Sequence, residues 1–113
     1  MLTEAEEQVA VVEYCDARHI PIFHIPNGGE RRKSVAAYLK KQGVKPGVPD
    51  LCLPIAKGPY HGLYIEMKRS GKHWTVSKTQ AEWISRLKAN GYAAFICPGA
   101  DNAIKCIDWY LEQ

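Results

Sequence analysis

Apolar positions recur with helical spacing over residues 3–18, where Val11, Tyr14 and Cys15 fall on one side. Thr3 with Glu6 three residues later forms a capping box and predicts the helix start. Glu7 lies four residues before Val11 and shares its face, an unusual place for a purely solvated acid. A short apolar run over residues 20–25 predicts a strand, and Pro26-Asn27-Gly28-Gly29 is turn chemistry. Residues 31–42 read as a short basic helix stopped by Gly43. The following Lys45-Pro46-Gly47-Val48-Pro49 cannot continue it, and Pro49 pushes Val48 towards extended backbone. Residues 51–55 and 63–68 read as two strands, and Lys57-Gly58-Pro59 between them favours a hairpin. Ser77 opens another helix, with Gln80 in the capping-box position and Ala81, Ile84 and Leu87 as its apolar face. Asn90-Gly91 end that helix, and residues 92–97 form a last core strand. After Pro98-Gly99, Asp101 is expected to cap a closing helix that turns Ile104, Ile107 and Leu111 inward.

The predicted order is helix, strand, basic helix, hairpin, helix, strand, helix. A crossover helix between strands favours an α/β fold with a mixed sheet flanked by helices. A chain of 113 residues fits one domain, taken as residues 1–113. No apolar run approaches the roughly 20 residues of a membrane span, so a membrane partner is not expected. The polar, acidic start of the chain is unlike a secretory signal, and a cytoplasmic location is expected. Cys15, Cys52, Cys97 and Cys106 form no C-x-x-C pair and sit in apolar stretches, which predicts reduced, buried thiols rather than a zinc knuckle. The net charge of +3 decides little, but its distribution says more. Arg31, Arg32, Lys33, Lys40, Lys41 and Lys45 form one basic cluster, and Lys68, Arg69, Lys72 and Lys78 another. Such clusters either neutralise phosphates or form an ordinary solvated surface.

Side chains on a strand alternate faces, so Leu63, Ile65 and Met67 point to a core while Tyr64, Glu66 and Lys68 point the other way. A carboxylate and an ammonium are thus neighbours on a rigid element. Asp50 begins the preceding strand, and hairpin pairing would bring it close to Glu66. Two hard carboxylates with a backbone carbonyl suit Mg²⁺ or Mn²⁺. Such an ion would assist phosphodiester hydrolysis, with Lys68 orienting water or stabilising the charge that builds at phosphorus. Taken alone, Glu66 and Lys68 are equally consistent with a surface ion pair.

Pro49-Asp50, fifteen intervening residues, then Glu66-Met67-Lys68 resembles the PD-(D/E)XK nuclease signature. The full run His24-Ile25-Pro26-Asn27-Gly28-Gly29, Gly47-Val48-Pro49-Asp50, Glu66-Met67-Lys68 and Gln80 resembles the VRR-NUC family, the virus-type replication-repair branch of that superfamily. The resemblance implies a restriction-endonuclease-like core. It implies that Asp50 and Glu66 are metal-binding acids, that the Met67 carbonyl is a backbone ligand, and that Lys68 and Gln80 are catalytic. It further implies that Glu7 completes the metal site from the first helix, and that His24 and Asn27 lie beside the active site. For His24 strand packing stays open, and for Asn27 a turn-forming role.

The chain shows no helix-turn-helix pair, zinc finger or long recognition helix, so backbone contacts and shape are the expected sources of selectivity for DNA. Arg31, Arg32, Lys33 and Lys72 are candidate phosphate contacts. Trp74 is a candidate stacking residue, and ordinary loop packing is its alternative. Trp83 and Trp109 read as core or dimer contacts. Stand-alone members of the family, several of them phage-encoded, resemble Holliday-junction resolvases in being homodimers. The first expectation is therefore a homodimeric, Mg²⁺- or Mn²⁺-dependent endonuclease for branched DNA, in recombination or repair. A less selective nickase or flap nuclease is the alternative enzyme, and a catalytically silent DNA-binding module the alternative from another class.

Overall fold

In the computed structural model, which describes residues 1–27, 32–71 and 73–113, each predicted element is present. They run α1 (Glu4–Ala17), β1 (Phe23–His24), α2 (Lys33–Lys41), β2 (Leu51–Leu53), β3 (Leu63–Lys68), α3 (Lys78–Ala89), β4 (Ala93–Pro98) and α4 (Ala100–Leu111). The four strands form one sheet in the order β1-β2-β3-β4. β1–β2 and β2–β3 are antiparallel and β3–β4 is parallel, so the sheet is mixed. α3 supplies the crossover that a parallel β3–β4 pair requires.

The expected alternation along β3 holds. Leu63, Ile65 and Met67 are fully buried and join Val11 and Cys15 of α1 with Ala103, Ile107 and Tyr110 of α4 in the main core. Glu66 and Lys68 point to the other face, where α3 covers the sheet. Ile84 is the buried residue of α3, whereas Ala81 is exposed. All four cysteines are free thiols, three of them buried and Cys106 half-buried. Among the described residues, no helix is long and apolar enough to cross a membrane.

Three expectations are corrected. The first strand is two residues long because the chain up to Ile20 still belongs to the end of α1. His19 adopts φ 56°, and the Ile20 N–H donates back to the Cys15 carbonyl at 2.9 Å, closing the helix instead of entering the sheet. β2 stops at Leu53 because Pro54 has no N–H for the ladder. The cap of α4 is Gly99 rather than Asp101, which lies exposed in the first turn. The acceptor for the first helical amide comes instead from α1: Glu7 Oε1 receives the Ala100 N–H at 3.3 Å. Gly99, at φ +85°, has Ser70 Oγ only 2.5 Å from where a Cβ would stand.

Candidate metal centre

The site is built where β2 and β3 meet the N-termini of α1 and α3. Pro49, fully buried, delivers Asp50 just before β2 rather than within it. The Asp50 carbonyl accepts the Ile25 N–H at 2.7 Å, and His24 Nδ1 lies 2.8 Å from the same oxygen. The same Nδ1 lies 3.1 Å from Gln8 Nε2, so the ring is placed between α1 and the Asp50 backbone. Asp50 Oδ2 accepts the Met67 N–H at 2.8 Å, replacing the ladder bond that β2 would otherwise make there. N–H and C=O of one strand residue point to the same side, so the Met67 carbonyl faces the Asp50 side as well. The carbonyls of the flanking even-numbered positions turn to β4, as with Lys68 accepting from Gly99 at 2.8 Å.

Glu66 is buried at 4% exposure, and its carboxyl is pushed up to about 8. Burial is the main cause, followed by the negative charge of Asp50 and a hydrogen bond shared with it, while Lys68 acts in the opposite direction. Glu4, Asp50 and Glu66 each offer a carboxylate oxygen within 4.8 Å of the others. The Glu4 carboxyl is also raised, by partial burial first and by Asp50 second. Three crowded acids, one of them raised by burial and by its acidic neighbour, form a hard-oxygen set whose repulsion a divalent cation relieves. The donor chemistry therefore fits Mg²⁺ or Mn²⁺.

Lys68 Nζ is 4.0 Å from Glu66 Oε2 and donates to Gln80 Oε1 at 3.0 Å. The same Gln80 oxygen accepts the Ser77 N–H at 3.0 Å in the α3 capping box. Gln80 Nε2 donates to Glu66 Oε2 at 3.2 Å. One side chain thus starts α3 and fastens both the acid and the amine of β3. Gly47 makes this approach possible: at φ +86°, a Cβ there would stand 2.4 Å from the Thr79 carbonyl carbon and 2.7 Å from Gln80 N.

The structure brings Asp50, Glu66, Lys68 and Gln80 together and turns Met67 towards them, but it does not bring Glu7. Glu7 is buried and accepts the Ser70 N–H at 3.0 Å, the Ser70 hydroxyl and the Ala100 N–H, and the Ser70 hydroxyl holds its carboxyl below the usual range. Its oxygens are engaged in joining α1 to the segment after β3 and to α4, and they lie outside the cluster formed by Glu4, Asp50 and Glu66. Glu4, one turn earlier, is the α1 acid that joins Asp50 and Glu66. The sequence held a signal for it: the capping box fixes Glu4 at the first position of a helix whose next turn is buried at Glu7.

His24 is exposed and tied to the Asp50 backbone rather than packed in a core. Asn27 donates to the carbonyls of Lys45 at 3.0 Å and Val48 at 2.8 Å, fastening the loop that leads to Asp50. Arg32 and Lys33 are exposed at the start of α2. Trp74 is half-buried and donates to the Gly71 carbonyl at 3.1 Å. Arg31 and Lys72 lie outside the described residues, as do Gly28 and Gly29. Trp109 is 41% exposed and rests edge-on against Phe95, while Trp83 is half-buried beside the α2–β2 loop.

A mixed sheet with three acids and a lysine gathered at the end of a hairpin, under the start of a crossover helix, defines a nuclease-type domain. The VRR-NUC domain family model matches residues 2–101. The chain belongs to the VRR-NUC family. A solved structure named VRR_NUC domain protein is similar over 99% of this chain and 90% of its own, at 36% identity and a TM-score of 0.84. No curated protein matches the chain.

Proposed function

We propose that this domain is a Mg²⁺- or Mn²⁺-dependent DNA endonuclease acting on branched DNA, Holliday junctions foremost, as a homodimer in recombination or repair. The observation that carries the metal dependence is the convergence of Glu4, Asp50 and Glu66 within 4.8 Å. These carboxylates, with the Met67 carbonyl, would hold the cation. Bound there, a divalent cation supplies Lewis acidity to the phosphodiester, eases deprotonation of the attacking water and stabilises the leaving oxygen.

The remaining work falls to the chain itself. Lys68, only 9% exposed, presents its ammonium beside the acids, where it orients the attacking water and offsets the charge that builds on the phosphoryl oxygens. Gln80 fixes the Lys68 ammonium by accepting from it and steadies Glu66 by donating to it. His24 keeps the Asp50 backbone in register from the edge strand. Arg32 and Lys33 on α2, with Arg31 and Lys72, supply phosphate contacts, and Trp74 stacks against the DNA. The family's nuclease character supports DNA as the substrate, and a location in the cytoplasm of a phage-infected cell accords with these roles.

The test is a cleavage panel of matched four-way junction, flap and linear duplex with Mg²⁺ or Mn²⁺, run beside Lys68→Ala. The expected result is metal-dependent incision of the junction that Lys68→Ala lowers at least about 100-fold, as loss of a transition-state charge stabiliser does. Equal incision of linear duplex would replace the resolvase reading with a nickase. Binding without cleavage under every condition would leave a silent DNA-binding module.

A further inference from the structure

Beside the acid cluster lies a cavity of about 420 Å³ that the reactions described above do not use. Its size falls within the roughly 300–1,000 Å³ of small-ligand clefts. Its walls are mostly apolar: Ile25 and Pro26 after β1, Val44 and Val48 on the α2–β2 loop, and the Trp83 indole on α3. Three of these walls are chained to the site. Val48 stands two residues before Asp50, and Trp83 is one helical turn beyond Gln80. Ile25 donates its N–H to the Asp50 carbonyl at 2.7 Å.

The polar side chains in its lining are those of Asn27, Gln42 and Lys45. Asn27 has both amide hydrogens engaged, by the Lys45 and Val48 carbonyls, so its Oδ1 is fixed pointing away from them as an acceptor. Lys45 lines the cavity and is exposed, and Lys40 and Lys41 immediately precede its lining residues Gln42 and Gly43. Arg86 lies 5.5 Å from the Trp83 ring centroid. A mostly apolar slot lined by an indole, the Asn27 amide and the Lys45 ammonium complements a nucleotide: the flat base fits the slot, and its phosphate meets the lysine.

We propose that this cavity receives one unstacked base of the DNA strand near the cut, and that Trp83 is the residue it stacks on. The inference deepens the branched-DNA reading and rests on DNA being the substrate. Branch points offer such bases cheaply, because their stacking is already interrupted. Selectivity for branched over linear DNA then arises from base capture rather than from base-edge readout.

The test scans single abasic replacements across the nucleotides nearest the branch of a fluorescein-labelled junction, with affinity read by anisotropy in EDTA. At one position, loss of the base should weaken wild-type binding at least about fivefold. That penalty should vanish in Trp83→Ala, which has already lost the stack. A flat scan, or a Trp83→Ala variant weakened by one common factor on intact and abasic DNA alike, overturns the proposal. Should Trp83→Ala fail to fold, Val44→Trp fills the cavity from the loop and must erase the same position-specific penalty. Its failure to do so also overturns the proposal. Because the readout is binding, the two readings fail separately: coupling without cleavage sinks the nuclease, and cleavage with a flat scan sinks the cavity. Absence of DNA binding in EDTA and in Ca²⁺ alike sinks both.

Discussion

Two acids one turn apart on α1 have different work, and replacing each by its amide separates them. Glu7 receives three donors: the Ser70 N–H at 3.0 Å, the Ser70 hydroxyl, and the Ala100 N–H at 3.3 Å. Glu7→Gln removes the charge and one acceptor oxygen, so an NH₂ must face either Ser70 or the first amide of α4. Hydrogen bonds to a charged group contribute about 1.5–3 kcal/mol each, and one of them is lost. The interaction with the α4 dipole, about 0.3–1 kcal/mol, goes with it. The expected loss is thus about 2–4 kcal/mol. With a urea m-value of about 1.5 kcal/mol/M, the unfolding midpoint falls by roughly 1.3–2.7 M. Glu4 is exposed, so Glu4→Gln should change stability by less than about 0.5 kcal/mol. The metal assay reverses the pattern: Glu4→Gln weakens Mn²⁺ binding on the order of tenfold or more, and Glu7→Gln leaves it nearly unchanged. A stable Glu7→Gln that has lost Mn²⁺ affinity, beside an unaffected Glu4→Gln, would refute this division. The sign of the pH effect follows from the lowered Glu7 carboxyl. Its contribution is present above its unfolded value of 4.5 and is lost as pH falls through the folded value, so the stability gap between wild type and Glu7→Gln closes on acidification.

Other variants probe the same frame. Gln80→Glu keeps the α3 capping box but sets a second negative charge against Glu66, so circular-dichroism melts should change little while cleavage falls about tenfold or more. Gly47→Ala forces a Cβ to within 2.4 Å of the Thr79 carbonyl carbon and an alanine to φ +86°. Displacing the loop by about 1 Å costs on the order of 100-fold in cleavage, whereas a merely strained loop would lower stability and leave the turnover of the folded fraction intact. Because the Glu66 carboxyl is raised to about 8, metal binding at pH 7 should release close to one proton, and affinity should rise about tenfold per pH unit until it levels near pH 8. Calorimetry in buffers of different ionisation enthalpy measures that proton, and release of none would contradict the protonated Glu66.

Much of this arrangement was legible in the chain. Period-two alternation separated Leu63, Ile65 and Met67 from Glu66 and Lys68, and β3 has the predicted bounds. Thr3-x-x-Glu6 and Ser77-x-x-Gln80 marked both helix starts because a capping box is a local device. What was illegible depends on contacts distant in sequence. Glu7 carries the buried face that the pattern gave it, but its partners Ser70 and Ala100 lie on other elements, and only the folded chain shows that they consume its oxygens. Glu4 looked like one more acid in the first turn of a helix, where acids are common for dipole reasons. The cap of α4 is illegible locally because a carboxylate from another helix does the work that a neighbouring Asp normally does. The apolar run over residues 20–25 does not show where the first strand begins, because His19 closes α1 in a left-handed conformation without a glycine to announce it.

The most direct measurement is a crystal soaked in Mn²⁺ and read by anomalous scattering. A single peak in contact with Glu4, Asp50 and Glu66, absent from Asp50→Asn crystals, is the expected result. Manganese bound at Glu7 instead, or no peak among the three acids at saturating Mn²⁺, would contradict the account.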